Sequence, residues 1–201
     1  MKLRYSPTSP YVRKVMVSLL ELGLRDRVEL QATNVWDPET DIGLSNPLGK
    51  VPALILDNGQ VLFDSPVICE YLDAQIPQVV LFPAVGEARW KALRFQALGD
   101  GLMDAGVLRL LEGRRDPALQ SEGWKDRQLA AINRGLDALE AGVNDLSGGP
   151  LTIGQISVAC ALGWIEFRLG DHNLLSTRPL LKSWYEGFKA RASMQATEPK
   201  E

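Results

Sequence analysis

Asn46-Pro47-Leu48-Gly49-Lys50-Val51-Pro52, followed by Asp64-Ser65-Pro66, is the stretch on which the fold turns. Pro52 stands where a strand should begin. Proline cannot donate to a sheet ladder, so it belongs at a strand start or an edge. The acid–hydroxyl pair Asp64-Ser65 then opens a helix. A chain that builds both within its first seventy residues or so shapes a small polar pocket beside a sheet edge. Backbone amides at a helix start suit an anion, here one of peptide-like chemistry.

Around this stretch the segments alternate. Leu3 to Tyr5 reads as a short strand. Ser9-Pro10 is a helix start, with Ser at the cap and Pro at the first helical position. Val12, Val15, Met16, Leu19 and Leu20 follow on one helical face, and Gly23 supplies a stop. Val28 to Ala32 reads as a second strand, and the stretch from Asn34 to Asn46 as a loop with one helical turn. Ala53–Leu56 and Val61–Phe63 flank Asp57-Asn58-Gly59-Gln60, and Asn-Gly between apolar runs signals a hairpin. Ser65 then caps a helix running to Ala74. The order is βαβαββα, a mixed α/β unit.

Pro77 and Pro83 mark a break. The expected organisation is a first domain over 1–76, a linker over 77–87 and a second domain over 88–201. No strand is evident in the second. Helices are expected from Ala88 to Glu112, from Trp124 to Val143 and from Pro179 to Ser193. Another starts at Thr152, where Gln155 completes a capping-box pattern. Ile156, Val158, Ala159, Ala161, Leu162, Trp164 and Ile165 make that helix apolar nearly all round, as a central buried helix should be. The polar tail from Thr197 is expected to be loose.

Composition narrows the function. The 201 residues are 45% hydrophobic, enough for a core without disulfide staples. The formal charge of −3, from 22 Lys+Arg against 25 Asp+Glu, argues against a nucleic-acid or acidic-membrane binder. The start is strand-like and not a leader, and Glu166 interrupts the best apolar run, so a cytoplasmic protein is expected. Cys69 and Cys160 form no CxxC pair and read as small buried hydrophobes. His172 is the sole histidine, which removes His-pair metal sites and most His-based triads.

A βαβαββα unit with Pro at its third strand, joined to an all-helical part, resembles the cytosolic glutathione S-transferase family. The resemblance covers essentially the whole chain. It rests on Ser9-Pro10, on Asn46 to Pro52, on Asp64-Ser65, on the capped helix from Thr152 and on Met194-Gln195-Ala196-Thr197-Glu198-Pro199. The segment from Thr8 to Lys14 is most similar to small bacterial members carrying Thr-Ser-Pro-Tyr/Phe-Val-Arg-Lys. One departure stands out: the family commonly places Asp where this chain has Gln155, which lacks charge at the helix N-terminus and suggests a less stable helical domain.

The fold implied is a thioredoxin-like α/β domain plus an all-α domain, in a symmetric homodimer. The function implied is glutathione transfer to a small electrophile, with glutathione as co-substrate and no metal or prosthetic group. Ser9 is the candidate catalytic residue, a hydroxyl that stabilises the sulfur as thiolate, with Arg13 one turn further on as a nearby cation. Ser9 is equally a plain helix cap, and Ser6 and Tyr5 are the other hydroxyls within reach. The resemblance implies a cis bond at Val51-Pro52, with Val51 pairing with the cysteinyl part of glutathione. Lys50 suits the glycyl carboxylate, Ser65 the γ-glutamyl carboxylate and Asp64 its ammonium group. Asp100 and Asp104 share one helix face and are candidates for contact across the dimer. Tyr11, Trp36, Met103, Val107, Arg109 and Trp164 are candidates for the second-substrate pocket. Glutathione-dependent isomerases, dehalogenases and peroxidases would share these residues. A non-catalytic interaction protein of the same fold, or a glutathione carrier or sensor, are the remaining alternatives.

Overall fold

The computed structural model describes residues 1–78 and 81–200. Its elements run β1 (Lys2–Tyr5), α1 (Pro10–Glu21), β2 (Glu29–Ala32), α2 (Ile42–Ser45), β3 (Ala53–Ile55), β4 (Val61–Leu62), α3 (Ser65–Asp73), α4 (Gly86–Gly113), α5 (Glu122–Ala141), α6 (Val143–Ser147), α7 (Ile153–Leu169), α8 (Pro179–Lys189) and α9 (Ala192–Ala196). The first seven give the βαβαββα order read from the sequence, and helices alone follow among the described residues. This is a thioredoxin-like unit joined to an all-helical one.

The sheet order is β2-β1-β3-β4. β1 pairs with β2 in parallel, Tyr5 opposite Ala32, and with β3 antiparallel, Arg4 opposite Ala53. β3 and β4 form the expected hairpin, Leu54 opposite Leu62. Side chains alternate across a strand. Leu3 is therefore buried in the core shared with α1 and α3, while its neighbour Arg4 serves other partners. Arg4 is also buried, and its guanidinium donates to Thr33 Oγ1 at 2.9 Å and to the carboxylate of Asp41, just before α2. A buried cation is tolerable only when so paired, and this one ties the α2 loop to the sheet.

One apolar core runs through both units, from Leu3, Val15, Leu19 and Leu54 to Met103, Ile156, Ala159 and Leu162. α7 is its axis, buried from Ile153 through Ile165. The joining segment is more firmly held than a Pro-rich linker suggests. Leu81 and Phe82 are buried, and their N–H groups donate to the Asp73 carboxylate at 2.9 and 3.0 Å. Ile153 N–H donates to Leu81 O at 2.9 Å, so the segment also anchors the start of α7. Positions 79 and 80 of the expected linker lie outside the described residues.

Other boundaries differ from the sequence reading. The helix expected from Trp124 to Val143 starts at Glu122 under a Ser121 cap and breaks at Gly142 into α6. The last helix is split at Ala190, and α9 carries the chain back onto α1. Thr197, expected to be loose, donates its hydroxyl to Ser193 O at 2.8 Å. No helix among the described residues is long and apolar enough to cross a membrane.

Candidate functional site

Strand directions assemble the site. β1 and β2 are parallel and end together, while β3, antiparallel to both, begins at that same end. β4 returns antiparallel to β3 and also finishes there. Four connections therefore converge on one end of the sheet: the loop from Tyr5 to Ser9, the loop after Ala32, the Val51-Pro52 approach to β3, and Phe63-Asp64-Ser65. Residues far apart in sequence meet because the pairing leaves them no other place.

Ser9 is the N-cap of α1, its Oγ accepting the Val12 N–H at 3.3 Å. A hydroxyl accepts through its lone pairs and donates through its proton. Capping and donating are thus compatible, and the Ser9 proton remains available. Arg13 does not serve this site. It is buried and turned toward the C-terminal segment, where Nη2 donates to Met194 O at 3.1 Å. At the i+4 position it would need to point along the helix to reach the cap, but the tertiary contacts hold it the other way.

The Val51-Pro52 bond is cis, with Pro52 buried and Val51 half-buried. Lys50 is exposed. The loop before it is organised by Asn46, a buried residue the sequence reading assigned no role. Asn46 Nδ2 donates to Lys50 O at 2.9 Å, and its Oδ1 accepts the Leu48 N–H at 3.0 Å. Gly49 makes the turn with φ +65, a conformation other residues rarely adopt. The Asn-Pro pair was the available signal. Ser65 is not the cap of α3, as expected, but its first residue and is buried; Asp64 holds the cap position, exposed, with no side-chain cap bond. Pro66 carries no N–H, so the first turn of α3 offers only the amides of Ser65 and Val67.

Tyr11 lies half-buried beside this end, its hydroxyl hydrogen-bonded to the Asp104 carboxylate. Burial first, and then that carboxylate, push the phenol far above its ordinary range, so it stays protonated. Asp100 is engaged within its own chain. The fully buried Lys14 ammonium holds both its oxygens at 2.7 Å, and Ser157 Oγ donates to it at 2.7 Å.

The six residues expected around a second pocket separate. Met103 is 0% exposed and belongs to the core, which removes it from any open space. Trp164, at 2%, is also interior; its ring lies over Gly106, where a Cβ would sit 2.4 Å from it, and its Nε1 donates to Thr8 O at 3.2 Å. It supports the Ser9 loop from beneath. Both were drawn toward the pocket by their size, which equally suits a core. Val107 and Arg109 are half-buried. Trp36, 68% exposed, does line an open cleft, with Leu108, Leu111 and Trp124.

Comparison with known proteins decides the family. Residues 8–75 match the glutathione S-transferase N-terminal domain, and residues 122–187 its C-terminal domain. An uncharacterized GST-like protein of Escherichia coli (strain K12) is 36% identical over 99% of this chain and 98% of its own. The chain belongs to the glutathione S-transferase family. Among solved transferase structures, a family member from Pseudomonas fluorescens Pf-5 with bound glutathione is 47% identical, with TM-score 0.94 over 100% of this chain and 99% of that one. A glutathione S-transferase from Methylobacillus flagellatus KT with glutathione bound is 36% identical, with TM-score 0.93 over 99% of both chains.

Within this transferase fold both cysteines are buried, and burial pushes the Cys69 thiol up to about 11 and the Cys160 thiol up to about 12. Neither is a thiolate at neutral pH, so neither is poised as a nucleophile. His172 is exposed in the turn after α7.

Proposed function

We propose that this transferase binds glutathione at the end of the sheet and stabilises its thiolate with the Ser9 hydroxyl. The observation that carries the reading is the placement of Ser9. Its oxygen accepts the Val12 N–H, its proton goes to no acceptor among the described residues, and it sits at the N-terminus of a twelve-residue helix. A donor hydroxyl and the positive end of a helix both favour the charged form of a sulfur beside them. Val51, next to a cis Pro52, offers its backbone to the cysteinyl part of the tripeptide. The first-turn amides of α3 and the Ser65 hydroxyl suit the γ-glutamyl carboxylate, with Asp64 for the ammonium group and Lys50 for the glycyl carboxylate. The thiolate attacks an electrophilic carbon, the leaving group departs with the bonding pair, and the thiol proton goes to water. Thiolate stabilisation and proximity supply the rate, with no metal or prosthetic group required. The glutathione bound in a structure 47% identical supports the ligand.

A homodimer belongs to the same proposal. Val67 of α3 and Trp90 of α4 are exposed, and the Glu70–Arg89 ion pair joins the same two helices, which would suit them to meet a second copy. Sedimentation would report it directly.

The test is an ultraviolet thiolate titration of bound glutathione. A free thiol titrates near about 8.5, and the bound one is expected at least about one unit lower. In Ser9→Ala that shift should vanish and kcat/KM should fall about 100-fold, the usual cost of losing one donor to a developing anion. Binding with no shift would leave a carrier or sensor. Failure to bind would leave a non-catalytic interaction protein.

A further inference from the structure

Three hydrogen bonds set where the Ser9 hydroxyl stands, and they reach it from different distances along the chain. Its Oγ accepts the Val12 N–H at 3.3 Å, within the first turn of α1. The Ser9 N–H donates to Ser6 O at 3.2 Å, closing the turn before the helix. The third bond comes from the helical unit. Trp164 Nε1, on α7, donates to Thr8 O at 3.2 Å from 156 residues away.

The last two act on one rigid body. The Thr8 C=O and the Ser9 N–H are the two polar ends of a single planar peptide unit. Ser6 holds one end and Trp164 the other, so the plane that leads into the Ser9 Cα is held against rotation. The bonds to Ser6 and Val12 are local and travel with the loop. The Trp164 bond is the one of the three that refers Ser9 to the core.

The indole is itself firmly seated. Trp164 is 2% exposed, and a Cβ at position 106 would lie 2.4 Å from its Cζ3 and 3.1 Å from its Cε3. Glycine at that point of α4 is what leaves room for the ring. A separate contact docks α1 itself: Lys14 Nζ meets Asp100 of α4, which Ser157 of α7 also holds. With the helix fixed in this way, the loop from Ser6 to Ser9 is the part left for Trp164 to place.

We propose that Trp164 is a positioning residue of the reaction, holding the Ser9 hydroxyl at the glutathione sulfur through Thr8 O. This rests on the reading of Ser9 as the thiolate donor. Trp164 acts through Ser9 and not on the sulfur. A buried indole N–H needs an acceptor, and here the acceptor is the loop that carries the reactive hydroxyl. A hydrogen bond weakens steeply as its angle closes, so a loop released from Trp164 stabilises the thiolate less well.

The test is the thiolate titration of bound glutathione, run on the full chain as a double-mutant cycle of Ser9→Ala and Trp164→Phe. Phenylalanine keeps an aromatic ring in the core and removes the N–H donor. Trp164→Phe is expected to raise the bound thiol pKa by about half a unit, roughly half of the shift expected from Ser9. Glutathione affinity at about pH 6, where the bound thiol is protonated, should change by less than about twofold. In the Ser9→Ala background the same substitution should change the titration no further, because the two residues act as one unit. A purely structural role would lower the melting temperature and leave the titration of the native chain in place. Gly106→Ala keeps the indole and displaces it, so it should raise the thiol pKa too, and it serves where Trp164→Phe does not fold. An unchanged titration in either variant, or a Trp164→Phe effect that persists without Ser9, overturns the role of Trp164 alone. No shift in the native chain sinks the Ser9 reading and the Trp164 assignment with it.

Discussion

At the scale of single residues, the ion pair of Lys14 and Asp100 shows how unequal two partners can be. Lys14 is wholly buried, while the Asp100 side chain is 19% exposed and keeps a second donor in Ser157. Removing one member of a buried pair strands the other charge, at a cost of about 3–5 kcal/mol. The stranded group differs between the two variants. Asp100→Ala leaves an ammonium in the core with no counter-charge and should cost the full amount. Lys14→Met leaves a carboxylate that still reaches water and Ser157, and should cost less. Urea unfolding of both would check the order, and the double variant should recover part of the loss. The sequence placed Asp100 on a helix face with Asp104, which is correct. It gave no sign that Lys14, drawn from another element, would occupy it. Ser9 is the opposite case, legible as a cap from Ser-Pro alone, because capping is a local interaction.

At the scale of elements, the start of α7 explains how Gln155 stands in for an acid. The capping box is formed, with the Thr152 N–H donating to Gln155 Oε1 at 2.7 Å. The amide does something further that a carboxylate cannot: its Nε2 donates to Leu146 O at 2.9 Å, satisfying a carbonyl near the end of α6. What the helix loses in charge it regains as a bond between two elements. Gln155→Glu should therefore destabilise the protein despite its better charge for a helix N-terminus. The donor becomes a buried anion facing a carbonyl, and about 2 kcal/mol of loss is expected. Thermal unfolding would measure it; an unchanged or higher midpoint would show that the bond to Leu146 contributes nothing. The box itself was readable from Thr152 and Gln155 at their spacing. Its second partner, nine residues upstream, was not, because only the packing of α6 against α7 brings it near.

At the scale of the whole molecule, the C-terminal segment straps the helical unit onto α1. Arg191 donates to both oxygens of Glu21, at 2.9 and 2.8 Å, and the Ser193 hydroxyl donates to the same carboxylate. Arg13 completes the strap through Met194 O. The Arg191 hydrogen bond, more than the others, holds the Glu21 carboxyl below its ordinary value of 4.5. A depressed folded-state value means that the contribution is present in full above the ordinary value and is lost as pH falls through the lower, folded one. The stability difference between the native chain and Glu21→Gln should accordingly be constant at neutral pH and shrink below about pH 4.5, as linkage requires. Melting temperatures of the two proteins across that range would check it, and curves that stay parallel into acid would show that Glu21 does not titrate with unfolding.

The sequence by itself determined the element order, the hairpin, the caps at Ser9 and Thr152, the buried character of α7 and the course of the stretch from Asn46 to Ser65 into β3 and α3. These are set by interactions within a few residues, where spacing and residue type are enough. Only the tertiary structure decided which large side chains line open space and which fill the core. Trp36 and Trp164 are the same residue type, yet one is 68% exposed and the other 2%. The burial of Met103 and the turning of Arg13 away from Ser9 were fixed in the same way. Each depends on what another element presents across a gap, and that is a property of how the helices pack on the sheet and on one another.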